Sequence, residues 1–461
     1  MQKTKEVLLD LGHLSFPIRI PDHTDIFSMG KVSPLSNPAE KIRDALKNPI
    51  DSAPLKELVS QKLKAKPEAK AVVVISDETR PVPYSGESGI LFPVIDEMLK
   101  AGLKPSQIQL LVATGTHRAM SEKELRKMLD PGIFSFGLKI INHNSRNSDG
   151  LISVGRTEVG GEIFLNRHYV ESDIKILTGL VESHFMAGAS GGRKSICPGL
   201  LSESSTYILH GGPILSSPKA ADLVLEGNPV HEEALRVAKM AGCDMIVNVT
   251  LDSNYRLTGI FAGHMENAHL ASVDKLRSYA AIPVEKKYDI VIGHTGYVGV
   301  NHYQAAKGAL TSLPLLKKNG ICLLAACHTD SDPIGGANYK RMLRLLGKLG
   351  PEKFVDSILS PSWTFVPEQW EAQMWARLFE KIPPSNLIYC SFEIPEDSFS
   401  WIPGQDARTI APGAANLQEL VEKSLAWAAE KLQSLSGREP QIALLLDGPY
   451  GIPVLNKYLV I

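Results

Sequence analysis

Short runs of hydrophobic residues alternate with longer amphipathic stretches along almost the whole chain. Runs of about four to eight apolar residues are typical of strands that are buried on both faces of a parallel sheet. They predict strands over residues 71–76, 108–113, 138–142, 174–178, 245–250, 288–293, 320–326, 386–390 and 441–447. The stretches between them predict helices over residues 91–101, 122–129, 229–240, 303–310 and 417–434.

This alternation predicts an α/β protein in which each sheet is largely parallel and is flanked by helices. A chain of 461 residues is too long for one ordinary core, so two domains are expected. The strand pattern breaks near residues 280–287, which places the boundary within 270–285. We therefore predict an N-terminal domain over residues 1–275 and a C-terminal α/β domain over residues 276–461, with the active site in the cleft between them.

Composition and charge exclude several classes of protein. Hydrophobic residues make up 44% of the chain, charged residues 21%, and the net charge is −1, which argues against a nucleic-acid or polybasic membrane partner. No apolar run is long enough to span a membrane, and the first ten residues do not resemble a signal peptide. The cysteines are scattered without a Cys-x-x-Cys pair, which predicts reduced thiols in a cytoplasmic protein: Cys197, Cys243, Cys322, Cys327 and Cys390.

Polar motifs follow the predicted strands at the ends where an α/β sheet places its site. Asp-Glu-Thr-Arg-Pro (77–81) follows the strand 71–76, and Thr-Gly-Thr-His-Arg (114–118) follows 108–113. Asp77 is suited to orient a histidine and Arg80 to grip a substrate carboxylate, although a local ion pair that pins the turn explains both residues as well.

A glycine-rich loop over residues 182–195 follows the strand 174–178. It contains His184, Gly191, Gly192 and Lys194. Glycines let a backbone approach a ligand closely, and a lysine beside them can meet an anion or be modified covalently. A Walker phosphate loop needs glycine directly before the lysine, but Arg193 stands there. The loop therefore indicates a cofactor site, with a purely structural turn as the simpler alternative.

Three histidines lie in loops near glycines: His117, His184 and His210. Each alone is explained as a hydrogen-bonded turn residue, but together they favour acid/base or metal chemistry. A zinc hydrolase that uses these three ligands is one alternative, although the chain has no His-Glu-x-x-His helix. Gln304 and Lys307 are three positions apart at a helix start and can face one anionic small substrate.

Taken together, these residues resemble the nickel-dependent lactate racemase family. The motifs that match are those at 77–81, 114–118, 182–199, His210 with its two following glycines, and Tyr-Gln-Ala-Ala-Lys at 303–307. Their order and spacing match over nearly the whole chain. The resemblance implies an isomerase: a racemase or epimerase that inverts C2 of a 2-hydroxy carboxylate, either lactate or a larger relative.

The resemblance also implies a cofactor, the nickel pincer nucleotide (nickel bound to pyridinium-3,5-bisthiocarboxylic acid mononucleotide). It would be attached covalently to Lys194, contacted by Gly191, Gly192 and Arg193, and its nickel would be bound by His210. Separate biosynthetic proteins would supply it. The implied reaction is hydride transfer, because the α-hydrogen of a 2-hydroxy carboxylate is too weakly acidic for a histidine to remove as a proton.

The resemblance assigns the remaining residues to catalysis and substrate binding. His117 and His184 would act as acid and base on opposite sides of the substrate, with Asp77 supporting one of them. Trp370 is the best match to a tryptophan near the substrate, with Trp363 as an alternative. The other residues expected to hold the substrate are Arg80, Tyr303, Gln304 and Lys307. A non-catalytic anion-binding or cofactor-binding protein is a further alternative.

Overall fold

The computed structural model describes residues 3–159 and 161–455, and the chain divides into two compact units. One unit extends from Lys31 to Tyr279, and the other combines the segment up to Gly30 with the segment from Ala280 onwards. The chain crosses between the units after Gly30 and again after Tyr279, and the second crossing lies inside the predicted interval 270–285. The sequence-based bounds 1–275 and 276–461 need one correction, because the strand Asp25–Phe27 pairs with Ile442–Leu445 and so joins the first segment to the second unit.

Strands and helices are numbered separately in chain order. The strands are β1 Thr4–Asp10, β2 Ser15–Pro21, β3 Asp25–Phe27, β4 Ala71–Ser76, β5 Ile108–Ala113, β6 Lys139–Asn142, β7 Leu151–Arg156, β8 Glu162–Asn166, β9 Ile174–Leu180, β10 Ser183–His184, β11 Gly188–Ala189, β12 Met245–Leu251, β13 Leu257–Gly263, β14 Ala281–Val284, β15 Tyr288–His294, β16 Leu316–Ala325, β17 Leu387–Cys390, β18 Gln405–Asp406, β19 Ile442–Leu445 and β20 Ile452–Leu455. The helices are α1 Pro38–Lys47, α2 Leu55–Ala65, α3 Leu91–Lys100, α4 Glu122–Met128, α5 Pro131–Ser135, α6 Arg167–Val170, α7 Glu203–Leu209, α8 Gly212–Leu215, α9 Pro229–Ala241, α10 Asn267–Ala280, α11 His302–Ser312, α12 Ala337–Leu349, α13 Pro351–Leu359, α14 Gln369–Phe379, α15 Ala407–Ile410 and α16 Leu417–Ser436.

The unit from Lys31 to Tyr279 is built on a sheet whose strand order, among the described residues, is β13-β12-β9-β4-β5-β6. Every pairing is parallel except that of β12 with β13. The apolar run of β4 explains its central place, since its first five residues are fully buried and pack into cores on both faces of the sheet. The predicted α/β class with largely parallel sheets is confirmed.

The strand order indicates where a ligand site is expected in this unit. From β4 the chain proceeds to β5 and β6 on one side, and β9 and β12 then lie on the other side. Loops that leave the carboxyl ends of β4 and β9 therefore diverge, and a crevice between such loops is the usual ligand site of an open α/β sheet. The loops that contain Asp77 and His184 begin at these two ends.

The second unit contains a parallel sheet in the order β18-β17-β16-β15-β19-β3, as far as the described residues show. Helix α11 begins shortly after β15, and Asn301 caps it by accepting a hydrogen bond from the backbone nitrogen of Gln304. Helices α12, α13 and α14 lie between β16 and β17 and were not predicted from the sequence. None of the described helices combines the length and the apolar composition of a membrane span.

Candidate active site

A carboxylate–histidine pair lies at the carboxyl ends of β4 and β5. Asp77 directly follows β4, and His117 lies in the turn after β5. Nδ1 of His117 is 2.8 Å from Oδ2 of Asp77. The Asp77 side chain is 6% exposed and that of His117 is 54% exposed, so the carboxylate is buried behind an imidazole that remains accessible.

The surroundings of Asp77 favour its ionised form. Burial opposes ionisation, but the hydrogen bond and charge of His117, together with Thr79 and Arg80, outweigh it and hold the pKa of Asp77 below its ordinary value. The backbone nitrogen of Thr79 donates to Oδ1 over 3.1 Å. An ionised Asp77 accepts a hydrogen bond from the Nδ1 proton of His117, which leaves Nε2 as the basic nitrogen.

Two contacts join these turns to the glycine-rich loop. Nε of Arg80 lies 3.3 Å from Oε1 of Glu182, at the beginning of that loop. The backbone nitrogen of Gly115 donates to the carbonyl of Gly199 over 3.0 Å, near its end. The structure thus brings the three predicted motifs of this unit together at one edge of the sheet.

His184 is held by its own loop. Strands β10 and β11 pair antiparallel, and His184 stands opposite Gly188. Nδ1 of His184 accepts backbone hydrogen bonds from Met186 over 3.3 Å and from Ala187 over 3.2 Å. Because both donors are amides, Nδ1 keeps its lone pair and the neutral imidazole has its proton on Nε2.

The loop around Lys194 needs its glycines. Gly191 and Gly192 have φ of 73° and 52°, which L side chains rarely adopt. A Cβ on Gly192 would lie 2.9 Å from the ring of His269, and one on Gly191 would lie 2.6 Å from Val181. The glycines therefore allow this backbone to pack against the unit, with Lys194 partly exposed beside them.

Arg193 is a buried brace of this loop. Its side chain is 1% exposed, Nη1 donates to the carbonyl of Gly191 over 3.3 Å, and Nη2 donates to that of Ala187 over 2.9 Å. Nη1 also lies 3.1 Å from Nε2 of His269. Burial lowers the pKa of Arg193 to about 9, partly offset by Cys197, so the guanidinium stays charged at neutral pH. These contacts place the guanidinium on the loop itself.

His210 lies at the end of α7 and has a defined tautomer. Its Nδ1 lies 3.0 Å from the carbonyl oxygen of Thr206, which can only accept, so Nδ1 donates its proton there. Burial lowers the pKa of His210 to about 4; the Thr206 hydrogen bond opposes this shift and the charge of Lys194 adds to it. The imidazole is therefore neutral with its lone pair on Nε2, which is the state of a histidine that ligates a metal.

Asn248 of β12 adds an unexpected polar group beneath the loop. It is fully buried, and neither Oδ1 nor Nδ2 has a hydrogen-bond partner among the described residues. A Cβ built on Gly191 would lie 3.0 Å from Nδ2, and one built on Gly179 would lie 3.5 Å from Oδ1. Buried side-chain amides usually have hydrogen-bond partners. The unmet donor and acceptor of Asn248 lie beside the two glycines, where no side chain fills the space.

The three loop histidines do not form a metal cage. Over residues 3–159 and 161–455, no three His, Cys, Asp or Glu side chains are placed to hold a metal ion. A zinc site made of these three side chains is therefore contradicted.

Apart from Arg80, the predicted substrate residues belong to the unit that begins again at Ala280. Tyr303, Gln304 and Lys307 lie on the first turns of α11, and Trp370 lies at the start of α14. Nε1 of Trp370 donates to the hydroxyl of Tyr303 over 2.6 Å. Trp363, the alternative tryptophan, instead donates to Oε1 of Gln369 over 2.8 Å. The structure therefore places Trp370, and not Trp363, in contact with the tyrosine of the motif.

Two further histidines of this unit are core residues. His294 is buried and contacts the carbonyl of Leu446 through Nε2 over 2.8 Å. His302 is fully buried and stacks on Trp375 at a centroid distance of 4.7 Å. Burial lowers the pKa of both histidines, so they are neutral structural groups.

Sequence reasoning missed several polar residues of both units. Glu182 was part of the glycine-loop motif, but its ion pair with Arg80 has no local signal because the two are far apart in the chain. Asn248 lies inside an otherwise apolar strand, and Glu371 inside a helix that was not predicted. A polar residue within an apolar run is the one signal that points to Asn248.

Family models and known proteins show what this chain is similar to. The model described as the lactate racemase N-terminal domain matches residues 11–222, and that of the lactate racemase C-terminal domain matches residues 284–411. A lactate racemase of Lactiplantibacillus plantarum is 30% identical over 411 residues, which is 89% of each chain. A lactate racemase of Thermoanaerobacterium thermosaccharolyticum is 32% identical over 339 residues, covering 73% of this chain and 76% of that one.

Solved structures agree with this relationship. The lactate racemase apoprotein of Thermoanaerobacterium thermosaccharolyticum superposes with a TM-score of 0.83 at 28% identity, covering 98% of this chain and all of that one. A protein from Thermotoga maritima superposes with a TM-score of 0.61 at 17% identity, covering 87% of this chain and 97% of that one. The second match shows a shared fold.

Proposed function

Since this chain belongs to the lactate racemase family of isomerases, we propose that it inverts the hydroxyl-bearing C2 of a 2-hydroxy carboxylate, lactate or a larger relative. The observation that supports this most directly is the pair of Asp77 and His117, whose facing atoms are 2.8 Å apart in the unit that contains the Lys194 loop. Acid/base chemistry and covalent cofactor attachment are then available in one unit.

The residues present fit the nickel pincer nucleotide that the family resemblance implies. His210 has Nε2 as its ligating nitrogen, since Nδ1 donates to a carbonyl. One histidine at this position, with no protein cage among the described residues, suits a metal whose other ligands come from an organic group. Asn248 offers unmet hydrogen bonds beside Gly191, where a bound group can approach the backbone.

We assign Lys194 to covalent attachment of this cofactor and His210 to its nickel. When bound, the group supplies a hydride acceptor for the α-hydrogen of the substrate. Arg193 braces the loop that contains Lys194 through the carbonyls of Gly191 and Ala187, so it positions the attachment site from within. The glycines at 191 and 192 provide the close backbone approach.

The neutral form of His117 has the tautomer that a base needs. Its Nδ1 proton is held by Asp77, so Nε2 can accept the hydroxyl proton of the substrate, and the buried carboxylate stabilises the resulting imidazolium. Removal of this proton, rather than of the α-proton, avoids a carbanion. Return of hydride to the opposite face of the planar 2-oxo acid would invert C2, whereas return to the same face would restore the starting enantiomer.

His184 complements His117. Its neutral form has the proton on Nε2, because Nδ1 accepts from two backbone amides. It is therefore suited to donate a hydrogen bond to the substrate oxygen, whereas His117 is suited to accept a proton. We assign His184 to the face of the substrate opposite His117, which is the second position that inversion requires.

Cationic and hydrogen-bonding residues are assigned to the substrate. Arg80 and Lys307 match a carboxylate by charge, and Tyr303, which receives a hydrogen bond from Trp370, supplies a hydroxyl. Arg80 is paired with Glu182 in this structure, so an anionic substrate must compete with that partner. Gln304 completes the set from the same helical turn.

The experiment is an assay of chirality. Cofactor-loaded protein is incubated with pure L-lactate, and chiral chromatography follows the appearance of D-lactate. We expect an equal mixture at equilibrium, no conversion by the unloaded protein, and loss of conversion in His117→Ala although its cofactor mass is unchanged. If His117→Ala racemises lactate at the wild-type rate, the acid/base assignment is wrong. Larger 2-hydroxy acids are tested in the same assay.

A further inference from the structure

Glu371 lies on α14 at the place where this helix packs on α11. Trp370 reaches the Tyr303 hydroxyl over 2.6 Å, and Trp375 stacks on His302 at 4.7 Å. Residues four apart on a helix share one face, so the side chains of Glu371 and Trp375 lie on the same face of α14. Glu371 is one turn before Trp375 and directly follows Trp370. Trp375 also donates to the Tyr339 hydroxyl of α12 over 2.8 Å, so the Glu371 side chain lies on the side of α14 that faces α11 and α12, within reach of the charge of Lys307.

The carboxyl group is buried and incompletely satisfied. Glu371 is 2% exposed, and its Oε1 has no hydrogen-bond partner among the described residues. Leaving a buried polar oxygen without a partner is costly, and burying a carboxylate without one costs more. A group kept in this state next to an anion-binding residue suggests that its partner is the ligand.

The titratable groups around Glu371 come from three segments. Tyr303 and Lys307 lie on α11, Tyr339 lies on α12, and Glu368 precedes α14. Burial raises the pKa of Glu371 to about 8; the charge of Lys307 opposes this shift, and Glu368 adds to it. Burial also raises the pKa values of Tyr303 and Tyr339 well above their ordinary value, so neither phenol ionises near neutral pH.

We propose that Glu371 is a substrate-positioning residue that is protonated in the complex and donates a hydrogen bond to the carboxylate of the 2-hydroxy acid held by Lys307. The proposal rests on the function proposed above. Its physical reason is that two carboxylates in one buried site cannot both be ionised, so the arriving substrate anion keeps the proton on Glu371. Protonated Glu371 then donates a hydrogen bond to the substrate carboxylate without adding positive charge to the site.

Binding of the 2-hydroxy acid should then depend on pH in a definite way. Because the substrate binds the protonated form, its dissociation constant is constant below the pKa of Glu371 and rises above it, approaching tenfold per pH unit. Lys307 is the other nearby group whose titration would weaken anion binding at high pH. The variant Glu371→Gln distinguishes titration of Glu371 from titration of Lys307, because the amide has a similar shape and donates a hydrogen bond but does not titrate.

The test measures the dissociation constant of racemic lactate, so that turnover leaves the ligand composition unchanged. Tryptophan fluorescence of the cofactor-loaded protein is followed from about pH 6.5 to about pH 9.5. We expect a rise above about pH 8 for the wild type and none for Glu371→Gln, with affinities at neutral pH within about threefold of each other. Glu371→Leu should bind about tenfold more weakly throughout.

Two results overturn the proposal: a rise that persists in Glu371→Gln, or wild-type affinity in Glu371→Leu. Glu380→Gln, at the exposed end of the same helix, is the matched control and should follow the wild type. Thermal unfolding of each variant shows that it is folded. Binding is measured independently of turnover. If the protein binds lactate with the expected pH dependence but does not racemise it, the proposed function is wrong while the role of Glu371 in binding stands.

Discussion

Nδ1 of His117 donates to Oδ2 of Asp77 over 2.8 Å, with the carboxylate buried and the imidazole accessible. This contact joins the ends of two neighbouring strands, β4 and β5, that are parallel in register. It fixes which nitrogen of His117 can take a proton. The acid/base assignment therefore depends on Asp77 as much as on the histidine.

Asp77→Asn should lower kcat by about three to four orders of magnitude with little change in fold, because an amide does not hold the same tautomer or stabilise the imidazolium. The measurement is racemisation of lactate by cofactor-loaded protein of verified mass. Asp96→Asn, which removes an exposed pair with Lys100, is the control and should leave kcat unchanged. Near-normal kcat in Asp77→Asn would show that the pair serves only the fold.

Trp370→Phe tests the hydrogen bond to Tyr303. It removes the Nε1 donor and leaves an aromatic ring, so KM for the hydroxy acid should rise by about three- to tenfold with kcat reduced less. Trp363→Phe is the matched control, because its donor serves Gln369 instead. If Trp363→Phe raises KM and Trp370→Phe does not, the assignment of the tryptophan is reversed.

Gly192→Ala should disrupt the Lys194 loop. The added Cβ meets the His269 ring at 2.9 Å on a backbone of φ 52°, so the free energy of unfolding should fall by about 2–4 kcal/mol, with less cofactor attached. Gly86→Ala has a φ of 71° but open space around its Cβ, and should cost about 1 kcal/mol. Denaturant unfolding and intact mass measure both effects. Equal losses in the two variants would mean that backbone strain alone matters.

Buried neutral histidines should make the protein labile to acid. His143 is 1% exposed, donates from Nε2 to the carbonyl of Leu201, and receives a hydrogen bond from Asn166 at Nδ1. Burial lowers its pKa to about 4, so the unfolded chain binds more protons as pH falls below 6.5. Stability is full above that pH and declines toward pH 4, by at most about 3 kcal/mol for this residue.

The check for this prediction is denaturant unfolding at several pH values, for the wild type and for His143→Gln. The variant has no titratable ring at this position, so its stability should decline less steeply with acid. His231, for which burial also lowers the pKa, to about 3, adds to the slope in both proteins. An unchanged slope in His143→Gln would assign the acid lability to other groups.

Much of the sheet and most of the motifs were predictable from the sequence. Strands β4 and β5 have the predicted bounds, because apolar runs between turn residues define them locally. The motifs follow strands that lie side by side, so the position of Asp77 near His117 follows from the parallel topology. The family resemblance, confirmed by the two matching domain models, supplied what local patterns cannot.

What could not be predicted depends on distant pairing. The return of β3 to the second sheet follows from its pairing with β19, which no local pattern encodes. The prediction that Arg193 contacts the cofactor stays a prediction, but its burial against carbonyls of its own loop, 3.1 Å from His269 of α10, depends on tertiary packing that no local pattern encodes. Likewise, the burial of Glu371 depends on α14 packing against α11.

The proposed chemistry depends on covalent attachment of the cofactor at Lys194, and intact mass measures that attachment. Wild type and Lys194→Ala are exposed to the mature nickel pincer nucleotide and compared, with Lys219→Ala as a control in an exposed turn. We predict a mass increase for the wild type and for Lys219→Ala, and none for Lys194→Ala. An adduct of equal yield on Lys194→Ala, or a wild type that racemises lactate without any adduct, would show that Lys194 is not the attachment site.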